Sequence, residues 1–99
     1  MLLRIVKMTF RPEAMETFRA QFAAHKEQIR AFPGCAHLEL WQDRQRPEVF
    51  FTYSWWQQPE DLENYRQSAL FRDLWPRTRA LFAAKPEAWS LRGLENVNP

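Results

Sequence analysis

The chain offers few groups able to move a proton or attack a bond: two histidines, one cysteine, two tyrosines and scattered carboxylates. His37 stands out, in the segment Cys35-Ala36-His37-Leu38-Glu39-Leu40-Trp41. If that segment is a strand, His37, Glu39 and Trp41 share one face, because side chains alternate. A carboxylate two residues away can orient and charge an imidazole. Such a pair suits the removal of a phenolic or enolic proton. The plainer reading is a surface or interface His–Glu pair. His25 falls within an apolar stripe and faces either a pocket or a satisfied core or interface position. Cys35 follows Pro33-Gly34 with no motif that supplies a base, so it reads as a buried, inert thiol. Tyr53 and Tyr65 carry phenols that suit a ligand, or else an amphipathic core or interface. Asn64 and Arg66 fall on the exposed side of their helix and are assigned no chemistry. No HxH, HxxxH or CxxC spacing occurs, so no metal site is predicted.

These residues must be positioned by a small body. The 99 residues suit one domain. A chain this short buries only somewhat more than about 60% of its unfolded surface. Yet five Trp, eight Phe and two Tyr make up 15% of it. That many rings suggest an aromatic-lined pocket or a subunit interface, the alternative being a core built from rings. Fourteen basic and twelve acidic residues are interspersed, with a net charge of +2, which argues against nucleic acid as a partner. A lone cysteine permits no intrachain disulfide and points to a reducing compartment, the cytoplasm. The N-terminal residues do not read as a signal peptide. No apolar run approaches the roughly 20 residues of a membrane span, so no membrane association is expected.

Hydrophobic periodicity orders the chain. Leu2 to Phe10 reads as a strand stopped by Arg11-Pro12. Leu2, Arg4, Val6, Met8 and Phe10 share one face. Pro12-Glu13 opens a helix whose stripe is Met15, Phe18, Phe22, His25, Ile29 and Phe32, ended by Pro33-Gly34. Cys35 to Gln42 and Val49 to Trp56 are the second and third strands, joined by a polar turn. The third carries large residues on both faces: Phe51, Tyr53 and Trp55 on one, Phe50 and Trp56 on the other. Both faces therefore need cover, and a partner subunit is the simplest source of a second layer. Pro59 starts a short helix with Leu62 and Tyr65 inward. Ser68 caps another, from Ala69 to about Ala84, with a kink expected at Pro76. Ala88 to Leu94 is the last strand. Residues 1–94 form the domain and residues 95–99 a loose tail. The order β-α-β-β-α-α-β is the split βαβ, or ferredoxin-like, pattern of the α+β class.

Four segments in this order resemble one family. They are Met8-Thr9-Phe10-Arg11-Pro12-Glu13, Phe32-Pro33-Gly34-Cys35-Ala36-His37-Leu38-Glu39-Leu40, Trp56-Gln57-Gln58-Pro59-Glu60-Asp61-Leu62-Glu63-Asn64-Tyr65 and Ser68-Ala69-Leu70-Phe71. The set is similar to the antibiotic biosynthesis monooxygenases. The resemblance implies a homodimer in which two four-stranded antiparallel sheets form a shared α/β barrel. It also implies a pocket between each sheet and its own helices. Characterised relatives include cofactor-independent monooxygenases of phenolic polyketides or quinols, and haem-degrading enzymes. The polyketide enzymes carry an Asn on the third strand, a Trp four residues later and a Tyr six beyond that. Here the positions read Thr52, Trp56 and Leu62. The haem-degrading members carry an Asn on the first strand, the same Trp and an axial His. Here they read Val6, Trp56 and Trp75, and an indole N–H cannot ligate iron.

Two functions follow. One is a cofactor-independent monooxygenase, or related oxidoreductase, acting on a small aromatic or quinol-like compound. Its pocket would be lined by Val6, Met8, Phe22, Tyr65, Phe71 and Trp75. Trp56 would position the ring, and His37 with Glu39 would handle the proton. The other is a non-catalytic dimeric module that binds a hydrophobic small molecule.

Overall fold

The apolar alternation that starts the chain becomes the centre of a sheet. A computed structural model describes all 99 residues. Strand β1 spans Leu2–Thr9, β2 Cys35–Gln42, β3 Val49–Trp56 and β4 Glu87–Arg92. All pairings are antiparallel, in the order β2-β3-β1-β4. A single 3-10 turn, Pro12–Ala14, leads into helix α1 at Met15–Arg30. Helix α2 spans Pro59–Arg66 and α3 Ala69–Arg79. This is the ferredoxin-like α+β arrangement that the element order predicts. No helix is long and apolar enough to cross a membrane.

The helices cover one face of the sheet. Met8, Phe10, Phe18 and Phe50 form one core cluster, and Cys35, Trp56 and Leu62 a second. Phe10 stacks on Phe18 with ring centroids 4.2 Å apart. Only ten of the 99 residues are buried. The other face carries Leu3, Ile5, Trp41, Phe51, Tyr53, Trp55 and Trp89, with nothing packed over it. Trp41 is 59% exposed and Trp89 42%.

Helix α3 ends at Arg79, about one turn short of the expected Ala84. Its first turn is capped as predicted, with Ser68 Oγ accepting the Phe71 N–H at 3.1 Å. Beyond Arg79 the backbone is drawn to the end of β1. Leu81 accepts the Arg11 N–H at 3.0 Å, Ala83 donates to Thr9 at 2.8 Å, and Phe10 bridges Phe82. The Arg11 guanidinium donates to the Ala80 carbonyl at 2.7 Å, satisfying one of the acceptors that a helix end leaves unpaired. Sheet hydrogen bonds plus burial of Phe82 against Phe10 outweigh one more helical turn.

The connection from α1 to β2 uses Gly34 at φ +88°, a left-handed conformation that suits glycine. A methyl group there would also overlap the Asp61 side chain. Asp61 is held in place, its carboxylate accepting the Gln58 N–H at 3.1 Å.

A bulge follows at once. Cys35 lies opposite Trp56, but His37 lies opposite Trp55, so Ala36 is an extra residue in β2. An unbroken register would set His37 against Ser54. One inserted residue sends every following side chain of β2 to the other face. Arg30 donates to the Cys35 carbonyl at 2.7 Å and steadies the bend.

Candidate functional site

Between the sheet and the helices lies a cavity of about 440 Å³. That volume is typical of small-molecule sites. Its floor is the helix-facing side of the sheet: Arg4, Val6 and Met8 from β1, Leu38 from β2, Thr52, Ser54 and Trp56 from β3. Strand pairing aligns these in rows. Leu38, Ser54, Arg4 and Ser90 form one, and Leu40, Thr52, Val6 and Ala88 the next. Helix α1 contributes Phe18, Gln21, Phe22, His25 and Ile29, at the spacing of a single helical stripe. Helix α2 contributes Leu62, Tyr65 and Arg66, and α3 Phe71, Leu74, Trp75 and Thr78.

The rings are organised. Phe71 stacks on Trp75 at 5.6 Å between centroids, and Trp56 on Tyr65 at 5.2 Å. Trp56 is 1% exposed and its indole N–H donates to Ser54 Oγ at 3.0 Å. Burial, with a smaller effect of the Cys35 thiol, pushes the Tyr65 phenol up to about 12. At ordinary pH it is therefore a donor and not a base. Burial also raises Cys35, which keeps that thiol protonated.

His25 is the histidine on the cavity wall. Its Nδ1 lies 2.9 Å from the Gln21 carbonyl oxygen. A carbonyl only accepts, so Nδ1 carries the hydrogen and Nε2 of the neutral ring keeps its lone pair.

His37 and Glu39 require a correction. From the sequence, this pair is expected to handle the substrate's proton. They do pair, His37 Nε2 lying 2.5 Å from Glu39 Oε2, with the Trp41 N–H donating to Glu39 Oε1 at 2.6 Å. The bulge at Ala36, however, turns all three to the open face, opposite the cavity. Val6, Met8, Phe22, Trp56, Tyr65, Phe71 and Trp75 are brought together around the cavity. Arg4 and Arg66 also line it. Arg66 reaches the cavity from the exposed side of its helix, its side chain 49% exposed. Arg4 was legible, since it alternates in phase with Val6 and Met8. No group of three or more His, Cys, Asp or Glu side chains is placed to hold a metal ion.

A sequence model of one family, described as antibiotic biosynthesis monooxygenase, matches residues 1–75. The chain belongs to that family. Solved structures share its fold. A crystal structure of an antibiotic biosynthesis monooxygenase is 21% identical, with a TM-score of 0.90 over 96% of this chain and 100% of that one. A conserved protein from Methanosarcina mazei Go1 is 21% identical, with a TM-score of 0.86 over 92% and 91%. Rv0793 from Mycobacterium tuberculosis is 18% identical, with a TM-score of 0.88 over 98% of each chain. No curated protein matches the chain. In this family member the ring-lined cavity is walled by one histidine, His25, and two arginines, Arg4 and Arg66.

Proposed function

We propose that this family member binds a small aromatic or quinol-like compound in the cavity and oxygenates it with O2, without a cofactor. The carrying observation is the cavity itself: rings of Phe22, Tyr65, Phe71 and Trp75 around one histidine with a free Nε2. The reaction suits a substrate with an activated methylene. His25 Nε2 takes one proton, leaving an electron-rich carbanion. That anion gives an electron to O2, and the two radicals combine to form a C–O bond. The resulting hydroperoxide loses water as a second carbon-bound proton leaves, and a carbonyl remains. The balance is AH2 + O2 → A=O + H2O. The Tyr65 phenol donates to the developing oxyanion, and the buried Trp56 sets the floor on which the ring lies.

The same reading includes a homodimer formed through the open sheet face. Ten buried residues are a thin core, and the exposed rings Trp41 and Trp89 flank an apolar surface on β3. A second copy of that face is its natural cover. On this view His37 and Glu39 belong to the interface. Residues 1–94 make the domain and residues 95–99 its tail. The buried, protonated Cys35 fits a cytoplasmic location.

One observation favours a second reading, a dimeric module that binds a hydrophobic molecule without turning it over. Thr52 and the buried Leu62 stand where the polyketide monooxygenases carry Asn and Tyr. Oxygen uptake with hydroquinones and anthrones separates the two. For a monooxygenase, His25→Gln lowers the rate on the order of 100-fold, and His37→Ala leaves it unchanged. Ligand binding with no uptake selects the binding module. Equal rates in wild type and His25→Gln remove His25 from the mechanism.

A further inference from the structure

We infer that the cavity's ligand is a monoanion, an aromatic carboxylic acid whose carboxylate seats on Arg4 beside Ser54, with Arg66 facing it from α2. This rests on the reading of the cavity as a ligand site and adds its charge. Arg4 is a half-buried arginine on the floor of a cavity lined mainly by apolar side chains. A charge drawn out of water needs a partner. Arg4 has no carboxylate within ion-pair distance; its one side-chain hydrogen bond, from Nη1, goes to the neutral Ser90 Oγ at 2.9 Å. A guanidinium has five N–H donors, so most remain without a partner in the chain.

The surroundings do not neutralise it. The nearby Arg66 is itself paired with Glu63 at 3.6 Å. Glu87 also borders the cavity, but its carboxylate pairs with Lys7 at 3.7 Å. Arg4, Arg66 and Glu63 together leave one uncompensated positive charge. That matches a monoanion better than a phosphate dianion. Burial first, and then the neighbouring Arg66, pull Arg4 below its ordinary value, against the opposing pull of Glu63. The geometry also suits a planar acid. Ser54 and Ser90 flank Arg4 in one cross-strand row. The Ser54 hydroxyl accepts from Trp56 and keeps its own O–H to donate. Arginine and carboxylate match as a two-pronged pair. The apolar part of the ligand then lies against Phe22, Tyr65, Phe71 and Trp75.

The test compares 2-naphthoate with its neutral isostere 2-naphthamide, and with inorganic phosphate, by calorimetric titration of the intact protein. Wild type is expected to bind naphthoate at least about tenfold more tightly than naphthamide, the scale of a charge-assisted hydrogen-bond pair. Arg4→Met and, independently, Arg66→Gln are expected to shrink that ratio, weakening naphthoate more than naphthamide. Equal affinity for the two naphthalenes in wild type overturns the inference but leaves the cavity as a ligand site. Binding of neither overturns both. Phosphate binding as tightly as naphthoate shows a general anion site and overturns the assignment to an aromatic acid.

Discussion

Tyr65 shows how burial sets the role of a single group. Its ring lies between Trp56, Phe32 and Phe71, and its phenol is pushed up to about 12 from 10.0. The charged form is disfavoured only in the folded state. Stability linked to Tyr65 is therefore complete below pH 10.0, the unfolded value, and falls as pH rises toward about 12. Denaturant titrations from pH 8 to 12 are expected to show this alkaline decline, and Tyr65→Phe is expected to flatten it. An unchanged slope in Tyr65→Phe would assign the decline to another group. Glu39 illustrates the opposite shift. Hydrogen bonds from His37 and then Trp41 hold its carboxyl below the usual carboxylate range. The neighbours of Glu39 are legible in the spacing of its strand, whereas those of Tyr65 include Trp56 and Phe32, brought to it from other elements.

At the level of elements, the connection from α1 to β2 controls what β2 presents. Gly34 turns the chain with a positive φ, Asp61 fills the space beside it, and Ala36 adds the bulge. Gly34→Ala would suffer both a left-handed alanine and a clash with Asp61. The expected loss is at least about 2 kcal/mol, read as a lowered denaturant midpoint with an unchanged m-value. A loss under about 0.5 kcal/mol would mean that Asp61 yields freely. The end of α3 is decided in the same way, by partners outside the helix. The apolar stripe of α3 continues in phase beyond Arg79, but the carbonyls of Ala80 and Leu81 find Arg11.

For the whole molecule, the open sheet face is an apolar surface left without cover by the chain's own helices. If a second copy covers it, light scattering gives twice the 12.0 kDa of one chain. Trp55→Arg, at the centre of that face, is expected to give the mass of a single chain with the cavity intact. A single-chain mass for wild type refutes the dimer. Much of this architecture is legible in the residues alone. Strand alternation, the helical stripe and the Pro and Gly stops give the element order, and the order gives the ferredoxin-like fold, because those signals are local. The rings of the cavity are legible for the same reason, each lying on the inward side of its own element. Which histidine meets the cavity is not. Strand periodicity correctly groups His37, Glu39 and Trp41, but a period of two does not say which face meets the helices. That is set by pairing β2 with β3, and one extra residue at Ala36 reverses it. The partnerless charge of Arg4 is likewise a property of the assembled cavity, since Ser90, Arg66 and Glu63 come from other elements.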